Sequence, residues 1–393
     1  MAAIGAVAVG VFLLVILLGD CGASDPPPGA APEGDATGVP VDFESGIYGG
    51  APVASAAPEF AGLGPWFNTP GPLALEQLSA SGYVVLVDFW TYTCVNCLRT
   101  LPFLRDWHQK YADSGLVIVG VHAPEFEFEE DPDNVARAIE DQAITYPVAM
   151  DNDRETWSAF QNNVWPAKYL VGADGTVAYR HFGEGDYLET EQAIRDALTA
   201  EGHDVSGILI GGVPEPQLDP DTVGITRELY FGYARNYFTG GVYAAQGEYY
   251  DGADAVRDYE DPGPPRAHNV WYVDGTWANE REALVHARAT QELEDYVTFR
   301  YAGRTVNPVF HPAPGDVAYD VVVTLDGFPL TSEQSGPDVT FDAEGRSIVR
   351  VDEPRMYRVL ELPALGEGVL RFASNAEGFA IYSVTFGAYT EGP

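Results

Sequence analysis

The sequence predicts two folded units in series, an α/β sandwich followed by an all-β sandwich of jelly-roll type. Three observations carry this. Between residues 60 and 202, buried strand patterns alternate with amphipathic helical ones. A single Cys-x-x-Cys pair, Cys94 and Cys97, stands at the start of one of those helices. Beyond residue 222 the helical period fades, and short apolar strands recur between Asp-Gly and Glu-Gly turns.

The chain opens on residues 1–19, apolar and uncharged, a length that suits a signal segment or a short membrane anchor although a basic start is missing. Leu18-Gly19-Asp20-Cys21 is similar to a lipoprotein cleavage box, with Asp20 standing where a small residue is the rule. Cys21 is therefore a lipidation candidate. Lipidation, an uncleaved anchor and plain secretion stay open, and each puts the rest of the chain outside the membrane. Residues 1–21 are read as the leader and 22–59, rich in Pro, Gly, Ala and Asp, as a flexible tether.

Within 60–202, residues 84–90 form a strand apolar on both faces, and 94–111 a helix with Leu98, Leu101, Leu104 and Trp107 inward. Residues 116–121 make a second buried strand, 133–142 a helix, 146–150 a short strand and 154–162 a further helix. The runs 168–171 and 176–180 about Asp174-Gly175 read as a hairpin, and 189–201 as a closing helix. Residues 203–222 have no period and serve as a linker. In 223–393, strands are expected at 270–273, 296–301, 317–325, 347–351, 357–362, 369–373 and 379–386, with turns at Asp274-Gly275, Asp326-Gly327 and Glu344-Gly345.

Composition narrows the chemistry. With 59 acidic against 21 basic residues, a formal charge of −38, the chain repels nucleic acid and anionic lipid, so neither is an expected partner. Lys110 and Lys168 are the only lysines. Three cysteines are too few for a disulfide framework. They fit one reactive pair plus Cys21. A disulfide-exchange nucleophile must be a thiolate, and a helix N-terminus stabilises it by up to about 2 kcal/mol, roughly one to one and a half pKa units. Cys94 holds that position, and Cys97 follows one turn later on the same face, within bridging reach. Asp88 lies inside the apolar strand six residues earlier, where desolvation raises a carboxyl toward a proton-transfer range. An ordinary strand-end Asp is the alternative.

Asp88-Phe89-Trp90-Thr91-Tyr92-Thr93-Cys94-Val95-Asn96-Cys97 resembles the active-site segment of thioredoxin-like proteins of the TlpA/ResA group, and Trp165-Pro166-Ala167-Lys168-Tyr169 their cis-proline segment. With His122-Ala123-Pro124-Glu125-Phe126-Glu127-Phe128, these stretches are similar to the extracytoplasmic region of DipZ-type proteins, which carries a thioredoxin fold and a C-terminal β-sandwich resembling carbohydrate-binding modules. The resemblance implies Cys94 as nucleophile, Cys97 as buried resolving thiol, Asp88 as proton relay, cis-Pro166 as the residue aligning substrate backbone, and Glu125 as a proton acceptor near the cysteines. Trp165, Trp90, Tyr92, Val95 and Asn96 are expected around the pair on the substrate side, with core packing the alternative for Trp90, while His122 is read as packed.

The expected activity is thiol–disulfide exchange with disulfide-containing envelope proteins, in the reductive direction, with no cofactor and no metal. No apolar span follows residue 19, so reductant is expected from a separate membrane electron donor. The alternatives are an envelope binding or sensing protein, in which the sandwich binds glycan or protein, and a thiol peroxidase, to which Thr91 points but Val87 does not. Trp271, Tyr272, Trp277 and Tyr301 are the aromatics a glycan would stack on, although aromatics alternating along strands are more often core. Zinc lacks two of its four ligands, and a purely structural disulfide would leave the Asp88 and Trp165-Pro166 matches as coincidences.

Overall fold

A computed structural model describes residues 55–219, 224–237 and 242–390. The leader, Cys21 and most of the tether lie outside them. The first sheet is built from seven strands, β1 (Ser55–Ala56), β2 (Trp66–Phe67), β3 (Val84–Trp90), β4 (Leu116–His122), β5 (Val148–Met150), β6 (Ala167–Val171) and β7 (Thr176–Phe182), in the order β1-β7-β6-β3-β4-β5-β2. The β3–β4 and β4–β5 pairs are parallel, as their helical crossovers require, and the others are antiparallel. The chain joins this sheet at Ser55, and the Glu59 carboxylate caps α1 (Leu75–Ala80) by accepting from the Leu75 and Glu76 amides at 2.6 and 2.8 Å.

Every residue of β3 is buried, because both faces of the sheet are covered. The period of two sends Val84, Leu86 and Trp90 into one core with α2 (Val95–Tyr111), α3 (Pro132–Asp141) and α5 (Tyr187–Ala200). Val85, Val87 and Phe89 share the opposite core with α1 and with Trp157 of α4 (Glu155–Ala159). Leu101, Leu104 and Trp107 of α2 are buried and Leu98 packs at the rim. The helix expected over 154–162 is shorter, since Gln161 turns to φ 54° directly after it.

The second unit is all-β, and its twelve strands among the described residues hydrogen-bond as one continuous antiparallel set, consistent with a sandwich. They are β8 (Leu229–Tyr230), β9 (Ala255–Tyr259), β10 (Trp271–Asn279), β11 (Leu284–His286), β12 (Tyr296–His311), β13 (Tyr319–Leu325), β14 (Phe328–Pro329), β15 (Val339–Phe341), β16 (Ser347–Val351), β17 (Arg355–Met356), β18 (Leu360–Ala373) and β19 (Ala380–Gly387), with one short helix, α6 (Tyr233–Tyr237). The long strand β12 pairs with β10 and β18 in its first half and with β19 in its second, shifting register between Gly303 and Thr305. A bulge there lets one strand serve both layers.

Two expectations change here. The runs 357–362 and 369–373 are not separate strands; residues 360–362 of the first and all of the second belong to β18. Asp274-Gly275 is not a turn but lies inside β10, where Gly275 at φ 98° hands the strand from β12 to β9, and a Cβ there would collide with the Asp295 carboxyl. Trp271, Tyr272, Trp277 and Tyr301 are buried and form core, so these four rings present no stacking surface. Asp326-Gly327 does turn the chain, both residues at positive φ between β13 and β14.

Both units belong to one compact body, Ile47–Pro393. Their contact includes the segment after β4, where Phe126 and Phe128 meet Tyr382 edge-on at 5.2 and 4.9 Å and Glu282 accepts from the Glu127 amide at 2.8 Å. Residues 203–219, expected as linker, fasten back onto the first unit. Lys110 of α2 donates to the Gly211 carbonyl, and the Gly211 amide donates to Glu191 of α5 at 2.8 Å. Among the described residues no helix is long and apolar enough to cross a membrane.

Candidate active site

Cys94 is the N-cap of α2, in extended conformation, and its Sγ accepts from the Cys97 amide at 3.2 Å. A free helical N–H aimed at sulfur is what stabilises a thiolate there. The two cysteines form a disulfide with their Cα atoms 5.2 Å apart. Cys94 is half-buried and borders a groove of about 410 Å³, whereas Cys97 is 1 % exposed and sits in the core. The first turn of α2 is held by Arg99, which makes a bidentate pair with Glu184 (2.7 and 2.8 Å), donates to Asn96, and lies 4.6 Å from the Tyr389 ring.

Asp88 shares its face of β3 with Leu86 and Trp90, the face covered by α2 and Cys97. It is 1 % exposed, and neither carboxyl oxygen has a hydrogen-bond partner among the described residues. Burial raises its pKa to about 7, against the opposing charge of Lys168. Lys168 is the cross-strand partner of Asp88 and fully buried; desolvation lowers its pKa, and its Nζ lies 3.5 Å from the Gly183 carbonyl. Sequence reasoning missed Lys168 as a site residue. Its signal was present, a lysine inside an apolar strand in a chain with two lysines.

The Trp165–Pro166 peptide is cis. The Pro166 carbonyl accepts from the Gly183 amide at 2.7 Å, and the residues just before it, Asn163, Val164 and Trp165, line the groove with Val95 and Asn96. The Trp165 indole donates to the Ala123 carbonyl at 3.0 Å, beneath Arg154 at 5.1 Å. Trp90 and Tyr92, expected at the substrate surface, point inward instead. Trp90 meets the His122 ring edge-on at 5.2 Å and Tyr92 stacks on it at 5.7 Å. His122 is buried and held neutral, its pKa lowered to about 3 by desolvation, and its Nε2 is 3.3 Å from the Thr91 hydroxyl. Thr91 is thus engaged with His122.

Glu125 does lie in the Cys94 groove, but its carboxylate is bound to the second unit. It accepts from Arg235 at 2.7 Å and Tyr230 at 2.9 Å. Glu228 lines the same groove, and the Tyr230 hydroxyl is also 2.9 Å from it. Burial and the charge of Glu125 push the Glu228 carboxyl up. Glu129 braces the loop behind: fully buried, it accepts from Thr93 Oγ1 (2.6 Å) and from the amides of Glu125 (2.6 Å) and Phe126 (3.0 Å), with its pKa raised to about 7 by desolvation. None of Glu228, Tyr230, Arg235 or Glu129 was legible as a site residue, since three come from more than 100 positions away and Glu129 sits in an ordinary acidic run.

Residues 53–180 match the AhpC/TSA family and residues 226–387 the thioredoxin-like C-terminal domain family. Protein DipZ of Mycobacterium tuberculosis is 38 % identical over 287 residues, 72 % of this chain; the chain spans 38 % of the length of DipZ. The thiol–disulfide oxidoreductase YkuV of Bacillus subtilis is 34 % identical over 128 residues, 33 % of this chain and 82 % of YkuV. The solution structure of a thioredoxin-like protein in the oxidised form, 28 % identical, superposes with a TM-score of 0.34 over 37 % of this chain and 97 % of that one. With its Cys94–Cys97 disulfide at the head of α2, the chain belongs to the thioredoxin-like thiol–disulfide oxidoreductases.

Proposed function

We propose that this enzyme works outside the cytoplasmic membrane, attached by its N-terminal segment, and reduces disulfides of envelope proteins with electrons from a separate membrane dithiol protein. The observation carrying the exchange chemistry is the asymmetry of the pair: a half-buried Cys94 bordering the groove, and a Cys97 buried in the core against which Asp88 lies. Cys94 thiolate attacks a substrate disulfide, forming a mixed disulfide and releasing one substrate thiol. Cys97, its proton taken by Asp88, then attacks Cys94 Sγ. The second substrate thiol leaves and the Cys94–Cys97 bond closes, so two electrons pass from the dithiol to the substrate. Pro166 follows Val164 and Trp165 at the groove wall, where an extended substrate segment aligns.

The test is trapping with Cys97→Ser, which should accumulate mixed disulfides with envelope proteins, while Cys94→Ser accumulates none. Retention of exchange by Cys94→Ser would overturn the assignment. A reduction potential near about −270 mV supports the reductive direction, whereas one near about −120 mV would make the protein an oxidant.

A further inference from the structure

Tyr230 Oη stands 2.9 Å from Glu125 Oε1 and 2.9 Å from Glu228 Oε2. A phenol carries one proton and an ionised carboxylate carries none, so the hydroxyl can donate to only one of them. Both contacts are hydrogen bonds only if the other carboxyl is protonated and donates to the phenol oxygen. Arg235, 2.7 Å from the same Glu125 oxygen, makes Glu125 the anionic member. The extra proton therefore sits on Glu228, in a chain running from Glu228 through Tyr230 to Glu125. Glu228 and Cys94 line one groove, and Glu228, Tyr230 and Arg235 all come from the second unit.

We infer that Glu228 is the proton donor to the first leaving thiolate, so that the C-terminal unit supplies part of the active site. This rests on Cys94 being the nucleophile. The step balances: Cys94 thiolate forms a bond to one substrate sulfur, the S–S bond breaks, and the departing thiolate takes the Glu228 proton and leaves as a thiol. The anionic Glu228 is reprotonated from the open groove. Its elevated proton affinity has a physical source in burial and in the facing Glu125 charge, opposed by Tyr230, Ser383 and Arg235, and Tyr243 also feels the Glu228 charge. Sequence logic alone would place such a group near Cys94 in the redox unit, where Glu125 lies. The geometry instead ties Glu125 to Arg235 and leaves the proton on the other side of the phenol.

The experiment compares two disulfides reacting with the reduced full-length protein. Glutathione disulfide releases a basic thiolate that benefits from a proton donor. Ellman's reagent releases a stable aromatic thiolate that needs none. Glu228→Gln keeps the shape and removes the proton supply, and it should slow the glutathione reaction roughly 10- to 100-fold more than the Ellman reaction. Equal slowing with both disulfides, or no slowing with either, would overturn the inference. Cys94→Ser, compared with its parent on a Cys21→Ser background, separates the two levels: if it reacts with either disulfide as fast as that parent, the nucleophile assignment itself has failed.

Discussion

Asp88 on β3 and Lys168 on β6 oppose each other across an antiparallel ladder, both shut off from solvent. The carboxylate has no hydrogen-bond donor among the described residues, and the ammonium has only a carbonyl at 3.5 Å. Two opposite charges placed in a core without further donors interact strongly and remain costly, because desolvation is only partly offset by their attraction. Their balance sets where the proton beneath Cys97 resides.

The first prediction concerns stability against pH. The Asp88 pKa is raised from 3.8 to about 7 by burial, so between these values the folded protein binds a proton that the unfolded chain has released. Stability from this group therefore falls as pH rises from about 4 to 7, with a limiting slope of about 1.4 kcal/mol per pH unit. Urea unfolding at pH 5 and pH 8 should show a smaller difference in Asp88→Asn than in the natural protein. Identical pH dependence would show that Asp88 titrates as an ordinary surface carboxyl.

Lys168→Met removes the one charge that lowers the Asp88 pKa. The Asp88 titration, followed by its carboxyl infrared band, should move above about 7 by roughly one unit, an interaction of about 1.4 kcal/mol. Closure of the Cys94–Cys97 bond should then need higher pH. A titration that stays in place would mean that the two side chains do not interact.

Glu129→Gln keeps the volume but loses acceptor capacity where one hydroxyl and backbone amides converge. A buried donor left without an acceptor costs about 1–3 kcal/mol. Denaturant melts should show a loss of that size, and disulfide exchange should slow because Thr93 and Glu125 both depend on this carboxyl. A variant as stable as the natural protein would remove Glu129 from this role.

Tyr382→Ala tests the contact between the units. The ring packs on Phe126 and Phe128, and its removal should cost about 2–4 kcal/mol and open the segment 124–130 to protease. Limited proteolysis with mass mapping would show the cut. Cleavage at the same rate and sites as in the natural protein would mean that the loop is held by its own unit.

Much of the redox unit was legible because its signals are local. The alternation of strand and helix, the Cys94–Cys97 spacing at a helix start and the Asp88 position inside an apolar run each occupy a few consecutive residues. Trp90 and Tyr92 were misread, because an aromatic beside an active-site motif has the same sequence signature whether it faces substrate or His122. Asp274-Gly275 failed for a related reason: positive φ at glycine makes a tight turn or a kink within a strand, and only the neighbouring strands choose between them.

The sequence by itself determined the fold class, the redox pair and the buried acid six residues before it, since periodicity and helix-end chemistry act within one element. The tertiary structure alone decided that Lys168 stands opposite Asp88, and that Glu125 answers to Tyr230 and Arg235 of the other unit. Those pairings join residues 80 to 110 positions apart, and no local preference specifies them. They follow from strand register and from the packing of two apolar faces, which are properties of the assembled core.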